Sequence, residues 1–140
     1  MKRRRIGSDA PWEATVGYSR AVRIGPHVYV AGTTGIDARG RAVAPDAYAQ
    51  ARRAFAIVEA ALAELGATME DVVRTRLYVV DIARDGEAVG RAHGEVFQTV
   101  RPAATMVEVR ALINPALRVE VEVDAFVVED EPPRRRGAQE

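Results

Sequence analysis

Apolar and charged side chains alternate without a break near the end of the chain. Leu117, Val119, Val121 and Val123 alternate with Arg118, Glu120, Glu122 and Asp124. A period of two puts the two sets on opposite faces of a β-strand, which we read over 117–128. The apolar face must be covered by other elements. The charged face is either solvated or matched by paired charges.

Two helical segments supply the cover. Tyr48, Ala51, Phe55, Val58, Leu62 and Leu65 recur at spacings of three and four, an apolar stripe on a helix of about five turns. Asp46 suits its N-cap, and Gly66 the left-handed residue that ends it. A second helix is expected over 86–99, with Val89, Ala92, Val96 and Val100 on one face; Pro102 lies beyond its end.

Residues 19–24 and 27–32 read as a hairpin turned at Gly25-Pro26, followed by a loop over 33–45. Residues 72–80 and 104–109 read as strands. The order is β-β-α-β-α-β-β, an α+β domain with two helices on one face of a mixed sheet. Arg74, Arg76, Glu108, Glu120, Glu122 and Asp124 are expected on the other face, mostly as a cross-strand charge ladder.

The chain has 140 residues and no cysteine, enough for one domain that folds without disulfides. The folded domain is expected over 14–128, with a flexible basic segment at 1–13 and a disordered charged tail at 129–140. Seven of the twenty basic residues lie in those two tails. Residues 6–128 carry thirteen basic and sixteen acidic side chains, a net of −3. A mildly acidic body makes nucleic acid an unlikely partner. No stretch reaches the roughly 18 apolar residues of a membrane span. Gly7, Ser8, Asp9 and Pro11 interrupt any signal-peptide pattern after the basic start, and a cytoplasmic location is expected.

The residue types leave little familiar chemistry. His27 and His93 are the two histidines, and neither falls in a ligand-spaced cluster, so no metal is expected. His27 reads as an exposed turn residue and His93 as a polar residue on a helix face. Ser8 and Ser19 lack the surroundings of a nucleophile. Gly32-Thr33-Thr34-Gly35 lacks the lysine and spacing of a phosphate loop. A carboxylate such as Glu120, holding a water, is the remaining acid–base option.

Three stretches, GYSRAVRIGPHVYVAGTTG, AELGATMEDVVRTRLYVVDI and RPAATMVEVRALINPALRVEVEVDAFV, resemble the RidA (YjgF) family. The resemblance runs over residues 14–128. It implies a chorismate-mutase-like fold and a homotrimer whose sheets face inward, with small ligands in three clefts between subunits. It implies hydrolysis of reactive enamines and imines, such as 2-aminoacrylate and 2-iminopropionate, to keto acids and ammonia without a cofactor.

Carried over residue by residue, the family's tyrosine matches Tyr18 and its cleft glycine matches Gly32. Its water-orienting glutamate matches Glu120, allowing one extra residue in the loop 110–118. Elsewhere the chain departs. The serine position holds Ala31, the carboxylate-binding arginine position Ala104, the cysteine position Met106, and the asparagine position falls near Gly90. A bidentate arginine–carboxylate contact is a strong, directional one. Its loss makes efficient turnover of a small iminocarboxylate unexpected, and the three apolar replacements favour a larger or uncharged ligand. Arg101 and Arg20 are candidates for a compensating cation, though surface or intersubunit salt bridges are the ordinary role for both. Thr33 and Thr105 flank the expected cleft as hydrogen-bond donors.

Two functions remain open: a divergent imine or enamine deaminase in which Glu120 positions water, and a non-catalytic trimer that binds an apolar small molecule.

Overall fold

The computed structural model describes residues 2–8 and 10–128. The tail expected at 129–140 lies outside the described residues. Six strands, β1 (Arg3–Ile6), β2 (Ala21–Ile24), β3 (His27–Thr34), β4 (Val72–Val79), β5 (Ala103–Glu108) and β6 (Val119–Phe126), form one sheet in the order β1-β2-β3-β6-β4-β5. β4 and β5 run parallel and every other neighbouring pair is antiparallel. Helices α1 (Ala47–Glu64) and α2 (Ile82–Phe97) cover one face of this mixed sheet.

The alternation in β6 does what its period dictates. Val119, Val121, Val123 and Ala125 are buried beneath the helices, while Glu120, Glu122, Asp124 and Phe126 look the other way. The core face of α1 adds Ala47, Ala54 and Ala61 to the expected stripe, and these small residues let the helix lie close to the sheet. The Asp46 carboxylate accepts from the Ala49 amide at 2.9 Å. At the far end Gly66 takes φ +75°, the left-handed conformation that ends a helix cheaply only at glycine.

α2 begins at Ile82, four residues before the expected start, because Asp81 caps it through the Arg84 amide. Glu108 also caps this end, accepting from the Ile82 amide at 3.1 Å. It pairs with Val79, a core-facing residue of a parallel neighbour, so it lies on the helix side and not on the charged face where the sequence reading put it.

β1 is an element the sequence reading lacked. Arg3–Ile6 pairs with β2 as an edge strand within the segment expected to be flexible. Its side chains explain the ordering: Arg4 Nη2 and Arg23 Nη1 both donate to the Leu65 carbonyl at the end of α1. Buried Gln50 ties two loops to the start of β6, donating to the Ala44 and Ala116 carbonyls and accepting from the Arg118 amide.

Candidate active site

The site begins with an irregularity in β3. Val30 pairs with Val123, but the next registered pair is Thr33 with Val121, so Ala31 and Gly32 together oppose Glu122. This bulge reverses the parity of everything after it. Thr33 therefore turns into the core, 1% exposed, and its hydroxyl donates to the Ala31 carbonyl at 2.8 Å. It is not the cleft donor expected from the sequence.

The bulge makes a seat for Glu120. A Cβ added to Gly32 would stand 2.6 Å from Glu120 Oε2, so the carboxyl lies directly against the glycine backbone. Burial pushes the Glu120 carboxyl above its ordinary range, opposed by the charge of Arg20 and reinforced by Glu122. A carboxyl in this state can hold a proton or take one from water.

Arg20 closes the other side of the bulge. Its Nη2 donates to the Ala31 and Gly32 carbonyls at 2.7 and 2.6 Å. The main chain at Arg20 links the edge strands, its amide donating to Ile6 and its carbonyl accepting from Ala31. Burial holds the guanidinium below its usual range, with Tyr18, Glu13 and Glu120 acting in the opposite sense. Arg20 is thus a partly buried group with no ion pair among the described residues; its position two residues after Tyr18 was visible in the sequence, but its burial was not.

Tyr18 follows a five-residue π-helical turn, Glu13–Gly17, and lines a concavity of about 560 Å³ on the open face with Tyr29, Ala31, Arg76, Glu122 and Asp124. Arg76 Nη1 lies 3.3 Å from Glu122 and 3.2 Å from Asp124, and the Tyr78 hydroxyl donates to Glu122 at 3.1 Å. The cross-strand ladder expected from the alternation is therefore present in its central part.

Tyr18, Arg20, Ala31, Gly32 and Glu120 belong to one neighbourhood. The β5 residues do not join it within the chain. Ala104 pairs with Thr75 and Met106 with Leu77, so both lie on the helix side of the sheet, Ala104 exposed at its margin and Met106 packed beside Gly86 of α2. Of the three β5 residues singled out in the sequence, Thr105, paired with Arg76, is the one on the open face. Arg101, four residues past the end of α2, takes a left-handed conformation, φ 52°, with its Nε donating to the Gln98 carbonyl. It lines a second concavity of about 590 Å³ with Arg91, His93 and Gln98. Gly90 of α2 is exposed, with open space where a side chain would stand.

His93 departs from its sequence reading, while His27 is exposed as expected, at the start of β3. His93 is half-buried, 2.8 Å from the Thr75 hydroxyl, edge-on to Phe55 and tilted against Phe97, and burial lowers its pKa. His27 lies against Tyr29 and Phe126. Among the described residues no group of three or more His, Cys, Asp or Glu side chains could hold a metal, and no helix is long and apolar enough to cross a membrane.

A mixed six-stranded sheet with both helices on one face is the chorismate-mutase-like architecture of the YjgF proteins. The family model described as Endoribonuclease L-PSP matches residues 8–127, and the chain belongs to this family, also called YjgF/RidA. A crystal structure of a YjgF-family member from Mycobacterium tuberculosis superposes with a TM-score of 0.82 at 51% identity, covering 90% of this chain and 100% of that one. An uncharacterized protein of Streptomyces coelicolor is 42% identical over 123 residues, 88% of this chain and 91% of its own. A Salmonella typhimurium protein named 2-iminobutanoate/2-iminopropanoate deaminase is 32% identical over 120 residues, 82% of this chain and 90% of its own.

Proposed function

We propose that the chain is a cofactor-independent imine or enamine hydrolase working in clefts between the subunits of a homotrimer. The carrying observation is the Glu120 carboxyl, half-buried against the Gly32 backbone, with burial raising its pKa above the ordinary value. The deaminase name borne by the Salmonella relative supports the reaction class. The placement of the two residue groups supports a shared site. Tyr18, Gly32 and Glu120 stand on one side of the sheet and Ala104 and Met106 on the other, so they meet only if two chains each contribute a half.

The chemistry needs one water and one proton carrier. Glu120 as carboxylate takes a proton from water as its oxygen bonds to the imine carbon. It returns that proton to nitrogen, giving the carbinolamine; it then takes the carbinolamine hydroxyl proton as the carbonyl forms and passes it to nitrogen as the carbon–nitrogen bond breaks, and a keto product and ammonia leave. An enamine enters the same route after protonation at carbon gives the imine.

The substrate is a non-standard one. An alanine stands at 104, where the family resemblance places the carboxylate-binding arginine. A hydrogen bond to a charged group contributes about 1.5–3 kcal/mol, or about ten- to a hundredfold in rate. Turnover of 2-iminopropionate is therefore expected to be low. The same alanine, with Met106 beside it, favours the second reading, a trimer that binds a small ligand without turning it over.

The test is hydrolysis of freshly generated 2-iminopropionate by the wild type, Ala104→Arg and Glu120→Gln. The enzyme reading expects slow turnover by the wild type, about ten- to a hundredfold faster turnover by Ala104→Arg, and background rate for Glu120→Gln. Activity in Glu120→Gln equal to the wild type rejects the role of Glu120. If neither the wild type nor Ala104→Arg exceeds background, the binding reading stands in its place.

A further inference from the structure

We propose that Arg20 is the positioning residue of the Glu120 corner: it holds the two bulge carbonyls that shape the seat, and it supplies the positive charge that lets the seated carboxyl ionise. The inference rests on the reading of Glu120 above, but its test needs no turnover.

Three observations carry it. First, Nη2 of one guanidinium bridges consecutive carbonyls, Ala31 and Gly32, at the two residues that oppose one in the bulge. The two Nη2 protons serve the two acceptors, and the rigid guanidinium plane fixes where they point, as a freely rotating ammonium does not. Second, Arg20 Nε is the buried side-chain nitrogen or oxygen left without a partner among the described residues. Such a donor is costly unless it serves something the resting arrangement does not show. Third, no carboxylate oxygen of the described residues lies within 4.0 Å of Arg20, although Glu120 lies within its electrostatic reach. Cation and carboxyl flank the Gly32 backbone without closing into an ion pair. A closed pair would fix Glu120 as a carboxylate. A gap leaves it able to exchange a proton while its anion stays stabilised.

The other groups acting on the corner are few. Glu122 acts against ionisation of Glu120, Tyr78 pairs with it across β4, and Tyr18 and Glu13 act on Arg20. Arg20 is the one cation among them.

The experiment follows the Glu120 side-chain carboxyl by NMR titration in ligand-free, side-chain-labelled protein, assigned with Glu120→Gln, and amide exchange at Ala31, whose N–H donates to the Arg20 carbonyl at 3.0 Å. In Arg20→Gln the midpoint of Glu120 is expected to rise by about one pH unit. In Arg20→Lys the charge remains and the midpoint stays near the wild type, while exchange at Ala31 quickens about tenfold as the seat loosens. An unchanged or lowered midpoint in Arg20→Gln overturns the proposal. If Arg20→Gln does not fold, Arg20→Lys decides: unchanged exchange at Ala31 overturns it. Activity in Glu120→Gln rejects the catalytic reading alone and leaves these two readouts as they are.

Discussion

Burial of Glu120 has a consequence for stability whose sign is fixed. Its folded-state titration lies above the ordinary carboxyl value of 4.5, so the fold binds that proton more tightly than the unfolded chain does. The corresponding stability is fully present below the unfolded value and is lost as pH rises through the folded one. Glu120→Gln keeps the shape and removes the ionisation. We expect this variant to melt above the wild type at about pH 8 and level with it at about pH 4. Equal differences at both pH values, read by thermal melts, would reject a burial-driven shift. Stability gained with activity lost is the signature of a group kept for its chemistry. At this scale the sequence was legible in part. Glu120 and Gly32 were picked out together by resemblance, and their contact is real. Thr33 was misassigned because a bulge after Val30 inverts the parity that any period-two reading assumes. The grip of Arg20 on the bulge was not legible because the carbonyls that receive it lie eleven and twelve residues away.

Whole elements were legible wherever a local period or a cap marks them. The stripe of α1 and its Asp46 cap were written in the sequence, and the structure shows both. The cap is exposed, and its bond to the Ala49 amide is direct, so Asp46→Ala is expected to cost about 0.5–2 kcal/mol. Urea denaturation with an unchanged slope checks it; no loss would mean that water replaces the carboxylate at no cost. The start of α2 was missed because its first turn, Ile82-Ala83-Arg84, is exposed and adds nothing to the apolar stripe. β1 was missed for a related reason. Its Arg3-Arg4-Arg5 run reads as a solvated tail, and only the tertiary acceptor at Leu65, sixty-one residues from Arg4, makes a strand of it. Charge placed on an edge strand also protects the sheet from further pairing.

For the whole molecule the question is what covers the open face. Ile24, Tyr29, Val107 and Phe126 are exposed there, and Ile24, His27 and Phe126 lie side by side across three strands. Beside them stand Arg76, Glu122 and Asp124, whose pairs are each about a quarter to a third exposed. Pairs this exposed are worth little in a lone chain. The apolar row favours burial, and the charges beside it arrive already paired, which lowers the cost of covering them. The family resemblance made the same demand from the sequence, and Glu120 and Ala104, the proposed half-sites, lie on opposite faces of the sheet in one chain. Three copies with their open faces turned inward satisfy both demands. We therefore expect light scattering at micromolar concentration to give three times the mass of one chain. Phe126→Asp, at an exposed position of the open face, should lower that mass towards a single chain while leaving the helical signal unchanged. A wild type of single-chain mass would remove the trimer and the shared cleft together. A trimer that survives Phe126→Asp would place the contact elsewhere on the sheet, towards the Arg76 ladder.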